Sequence, residues 1–177
     1  MGVMTWLRQQ GGARNDAAQA AQVARLAYQA ERRARSAADT DEGDGLDFAS
    51  AIRSHQVWKK QLAEVVAGED HPGFDLATVR RDDCCDLGRW MRGSGSYRYR
   101  GRAVFRELFG THAAFHQSAA EVLMLHGEGD DQLARALMDR GLFALNSVRV
   151  QGLLAQLFFE AEDSAARLLL ANKVVPS

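Results

Sequence analysis

His112 and His116 stand four residues apart in the run Phe105 to Leu123, whose apolar residues keep helical spacing. Two imidazoles one turn apart project from one face of a helix and can converge on a single cation. His55 lies on a second such stripe, between Ile52 and Trp58, and Cys85 on a third, beside Leu87 and Trp90. Singly, each has an ordinary account: a core histidine with satisfied ring nitrogens, or a thiol behaving as a small buried hydrophobe. Together they make a set of nitrogen and sulfur ligands, drawn from three helices, that suits tetrahedral Zn²⁺. Were Cys85 not to ligate, three histidines with water in the fourth position would suit a zinc hydrolase. No Glu or Asp accompanies the His pair as in a His-Glu-x-x-His helix, so no general base is evident. A di-iron bundle needs Glu-x-x-His pairs that this chain lacks.

The remaining reactive side chains have plainer readings. Cys84 adjoins Cys85, and neighbouring Cα atoms only about 3.8 Å apart make a disulfide between them strained; Cys84 is read as an inert helix residue and left out of the ligand set. Asp82, Asp83 and Asp86 are candidates to orient an imidazole, or simply face water. His71 before Pro72 and His126 before Gly127 are read as surface residues, and Trp58 and Trp90 as packing around the metal. Arg32, Arg33 and Arg35, and the interleaved Tyr97, Arg98, Tyr99, Arg100 and Arg102, are read as solvated clusters.

The elements that must position these residues are helices. An Ala-rich stretch from Asn15 or Asp16 to about Ala38 has only a thin apolar stripe, and the acidic, Gly-containing run Asp39 to Gly45 closes it. Residues 1–45 are therefore expected to be an N-terminal helix and linker, with a core domain over residues 46–177. Asp47 is placed to cap a first core helix that ends at Gly68. A shorter second helix from about Asp75 carries Val79, Cys84, Cys85, Leu87 and Trp90, and Gly93-Ser94-Gly95-Ser96 through Arg102 reads as a mobile connection. The third helix holds the His pair and ends near His126-Gly127. The fourth runs from Asp131 towards the C-terminus, with Gly141 and Gly152 placed to bend it or to admit a close neighbour. The fold class expected is all-α, an antiparallel four-helix bundle with an additional N-terminal helix.

The composition agrees. The 177 residues, 46% hydrophobic and 25% charged, can bury one core, and only two prolines favour long helices. A net charge of -1 provides no bulk positive field for nucleic acid or an anionic membrane. No run of about 18 uncharged apolar residues is evident, and the N-terminal segment is too short for a secretory leader, so a cytoplasmic protein with reduced thiols is expected.

Four blocks in fixed order resemble the chemoreceptor zinc-binding domain family. They are Asp47-Phe48 through Ala51-Ile52 with His55-Gln56-Val57-Trp58; Cys85-Asp86-Leu87-Gly88-Arg89-Trp90; Phe105 and Leu108 leading to His112-Ala113-Ala114-Phe115-His116; and a last helix with Phe143 and Ser147. The resemblance covers roughly residues 46–160. It implies the ligand set His55, Cys85, His112 and His116 for Zn²⁺, and a four-helix bundle that commonly dimerises in bacterial chemoreceptors and diguanylate cyclases. It also implies a non-enzymatic regulatory role, responsive to zinc or to oxidants of the hypochlorite type, exerted through a homodimer or a signalling output protein. A switch is expected in which loss of Cys85 from the metal frees the second helix while the histidines hold the rest. Zinc handling by a solitary member of the family is the other role it leaves open.

Overall fold

A computed structural model describes residues 48–71 and 74–173, together with 21–23, 25, 26, 28 and 29. Asp47, the acidic run Asp39 to Gly45 and the cluster Arg32, Arg33 and Arg35 lie outside the described residues. The described chain is all-α. Its helices are α1 (Phe48–Val66), α2 (Leu76–Arg80), α3 (Asp86–Arg92), α4 (Ser94–Tyr99), α5 (Ala103–Gly127), α6 (Asp131–Arg140) and α7 (Leu142–Lys173).

The apolar stripe of α1 buries Ala51, Ile52, His55, Leu62 and Val66, all on one face of a 3.6-residue repeat. The helix stops where Gly68 takes φ +97°, and the Glu69 N–H closes the end on the Glu64 carbonyl at 2.9 Å. Among the described helices, α5 and α7 make the most extensive contact. Their cross-contacts run in opposite order: Arg102 meets Ser164, Arg149 meets Glu107, and Phe115 stacks on Phe143 at 5.2 Å. They are antiparallel. So are α1 and α7, since His55 bonds Ser147 and Lys59 lies over Phe143. Phe115 is 1% exposed at the centre of this trio, 4.3 Å from the His55 ring and 5.2 Å from Trp58.

Three expectations about helix extent are corrected. The second core helix is two short ones, because Arg81 is extended and residues 82–85 turn before Cys85 caps α3. Polar side chains compete with helical backbone bonds there: Arg81 grips Asp83 with two bonds of 3.0 Å, and Asp82 receives Arg92 at 2.8 Å on both oxygens. The stretch read as a mobile connection contains α4. Its glycine signal is overridden by packing, since Gly95 is buried against the Trp90 ring and Tyr99 packs with Trp90 and Phe105 at 5.8 and 6.3 Å. The last helix divides at Gly141, where a Cβ would lie 2.7 Å from the Leu137 backbone, so only glycine fits that corner. Gly152 instead stays inside α7, where a Cβ would come 3.2 Å from Val23, and it admits the helical residues about position 23 to close contact.

Within residues 131–167 one 18-residue window is apolar enough to cross a membrane by length and hydropathy, although it is not a run of uncharged apolar residues. Core helices pass the same test, and here Phe143, Val150, Leu154 and Leu157 are buried against the rest of the fold.

Candidate metal centre

Cys85, His112 and His116 converge. Their ligand atoms lie within 4.8 Å of one another, and the two histidines are buried. The α5 helix supplies both imidazoles from one face, their rings 4.7 Å apart. Cys85 arrives from the opposite side at the N-cap of α3, its Sγ 3.3 Å from His112 Nε2. For comparison, zinc bonds of about 2.3 Å to sulfur and 2.0–2.1 Å to nitrogen at a tetrahedral angle separate the donors by roughly 3.5 Å. His55 lines the same cavity of about 320 Å³ from α1 but sits outside the 4.8 Å group, its Nε2 3.2 Å from Ser147 Oγ.

Each donor is prepared by its surroundings. His116 Nδ1 lies 2.7 Å from the Val79 carbonyl, a contact that only an Nδ1–H can satisfy, so Nε2 keeps its lone pair. His112 Nδ1 is buried without a hydrogen-bond partner among the described residues. Burial, reinforced by the neighbouring His112, Lys59 and His116, pushes His55 down to about 3, and burial beside His116 takes His112 to about 3. His116 is lowered too, chiefly by burial. The three imidazoles are therefore neutral at pH 7, the form that donates to a metal.

Cys85 has the opposite need. Burial raises its thiol pKa, and the N–H groups of Gly88 and Leu87 only partly offset this. The Gly88 N–H points at Sγ at 3.3 Å. A thiolate at this position requires a cation to complete it. The donor set and the S–N separation fit Zn²⁺.

The other sequence candidates sort cleanly. Asp82, Asp83 and Asp86 pair with Arg92, Arg81 and Arg89, so they brace the Cys85 turn rather than orient an imidazole. Cys84 lines the cavity, with its Sγ 3.7 Å from Asp83 Oδ1. Trp58 packs 5.4 Å from the His116 ring, as expected of a residue screening the site. Trp90 does not; it belongs to the Tyr99–Phe105 cluster. His71 and His126 lie away from the site against Glu64 and Asp131. Reading the sequence missed the Val79 carbonyl, which carries no side-chain signal, and the bond that Ser147 makes from α7.

Residues 55–123, about two fifths of the chain, match the profile of the chemoreceptor zinc-binding domain. No curated protein and no solved structure matches the chain. The match opens at His55 and takes in Cys85, His112 and His116. Residues 55–123 are thus similar to the chemoreceptor zinc-binding domain, a zinc-binding one, and carry a Cys85, His112 and His116 group able to hold the metal.

Proposed function

We propose that this chain is a zinc-dependent regulatory domain of bacterial signal transduction in which His55, Cys85, His112 and His116 hold Zn²⁺. The observation that carries the reading is the buried convergence of Cys85, His112 and His116, with His55 on the wall of the same cavity. Bound Zn²⁺ would supply a crosslink between α1, the start of α3 and α5, coupling metal occupancy to helix packing. The proposed site is regulatory rather than catalytic: among the described residues, each carboxylate on the Cys85 turn is held by an arginine, which leaves no general base poised there.

Of the four, Cys85 is the labile donor. It lies on a turn between two short helices and is partly accessible, whereas His112 and His116 are 1% and 3% exposed on a 25-residue helix. Oxidation of its sulfur by a hypochlorite-type oxidant removes the donor and releases residues 83–90 from α5, while the histidines hold the remainder. The bundle-type domain is taken to span residues 46–177, to act in the cytoplasm, and to signal as a homodimer or to an output protein of the chemoreceptor or cyclase type.

Metal content by mass spectrometry tests the reading directly. About one zinc per chain is expected at this centre, with affinity greatly weakened in His112→Ala and less so in Cys85→Ala. Hydrogen exchange over residues 83–90 should rise after mild hypochlorite. Protein that binds no zinc, or two irons, would overturn the assignment, and unchanged protection over an oxidised Cys85 would remove the switch.

A further inference from the structure

We infer that Glu64, Glu69 and His71, at the C-terminal end of α1, form a second and weaker binding site for a divalent transition-metal cation such as Zn²⁺. Their donor atoms, one imidazole nitrogen and two carboxylates, lie within 4.8 Å of one another. The juxtaposition is built by the backbone. Gly68, at φ +97°, reverses the chain, and the Glu69 N–H donates to the Glu64 carbonyl at 2.9 Å, which folds Glu69 back beside Glu64. Two residues later His71 Nε2 reaches to 3.1 Å from Glu64 Oε2.

That nitrogen is the telling atom. It is screened from solvent and close to a carboxylate, yet among the described residues it has no hydrogen bond of proper direction. With the ring proton on Nδ1, Nε2 and the Glu64 oxygen face each other with lone pairs, and a cation between them satisfies both. The surroundings add to the demand for positive charge, since both carboxylates sit at the negative end of a 19-residue helix. The lysine that pairs with Glu64 among the described residues, Lys60 at 2.8 Å, is 77% exposed and is displaced readily. One imidazole with two carboxylates suits Zn²⁺ and its late first-row neighbours, and leaves the rest of the coordination sphere to water. Glu64 is nine residues beyond His55, about 13 Å along the helix, so the two sites load separately. A peripheral site of this kind would let the domain answer to zinc above the level that saturates its core.

The experiment is metal titration of the full chain after chelation, with Zn²⁺ stoichiometry read by equilibrium dialysis and Co²⁺ binding read by absorption. The core site, through Cys85, gives a thiolate-to-cobalt charge-transfer band; the peripheral site has no sulfur and gives none. Wild type should take up two equivalents, the second at least about tenfold weaker and without the band. His71→Ala and, independently, the exposed Glu69→Gln should abolish the second equivalent and leave the first and its band intact. Lys60→Met should tighten the second. A single equivalent in wild type overturns the proposal, as does a second that survives His71→Ala and Glu69→Gln, which would be an adventitious ion only. Failure of the core assignment reads out differently, as a missing charge-transfer band with His71-dependent binding retained.

Discussion

Gly88→Ala should detach Cys85 from its histidine partners without touching any donor. Gly88 is buried in the first turn of α3, against the turn that carries Cys85. A Cβ there would sit 2.8 Å from the Asp82 carbonyl carbon and 3.1 Å from Asp83 Cα, and would overlap the Asp82 carbonyl oxygen itself. Carbon atoms settle at about 3.5–4.0 Å, so the turn must retreat by on the order of 1 Å. It cannot do so freely, because Arg92 holds both Asp82 oxygens at 2.8 Å and Arg81 holds Asp83. Overpacking of this kind costs about 1–3 kcal/mol, and the obstruction is backbone rather than a side chain that can rotate, so the upper part of that range is expected. If the metal-bound form carries about 3 kcal/mol of that strain, affinity falls by roughly 100-fold. The assay pairs urea unfolding with the cobalt charge-transfer band. Gly95→Ala is the control: the atoms nearest its Cβ belong to the Trp90 ring, at 2.8 Å, so it should destabilise the protein while the band persists. A Gly88→Ala protein with a wild-type band and stability within about 0.5 kcal/mol would refute the argument that this close approach positions Cys85.

Other outcomes follow from the same geometry. Ser147→Ala leaves the buried His55 Nε2 without its 3.2 Å partner and should cost about 1–3 kcal/mol in the metal-free protein by urea unfolding; a change near zero would show that His55 finds another acceptor. Phe115→Ala removes the ring between His55, Trp58 and Phe143 and should cost about 3–5 kcal/mol, read as a lower thermal midpoint, with little loss pointing to collapse of the core around the gap. The metal-free protein should weaken in mild acid. His55 and His112 fall from 6.5 to about 3 on folding, so the unfolded chain binds protons first. The stability they contribute is complete above pH 6.5 and declines as pH falls towards 3, by on the order of 2 kcal/mol per imidazole at pH 5. Flat stability between pH 7 and 5 would mean that these rings remain solvated.

Features readable from residue order were local. A 3.6-residue period decides which side chains share a helix face, so the His112 and His116 pair, the buried stripe of α1 with His55, and the stop at Gly68 were all legible. The same rule accounts for what was misread. Gly93 to Gly95 signals a loop until Trp90, Tyr99 and Phe105 pack over it, and Gly141 looks like any helical glycine until the Leu137 backbone is found against it. Tertiary structure alone decided that the Cys85 turn meets α5, that a Val79 carbonyl chooses the His116 tautomer, and that Ser147 reaches His55 across 92 residues of chain. It also placed His71 over Glu64, where spacing offered only a turn histidine. Contacts between elements depend on how their faces pack, and a backbone carbonyl or a glycine in close approach leaves no periodic mark by which the sequence could announce it.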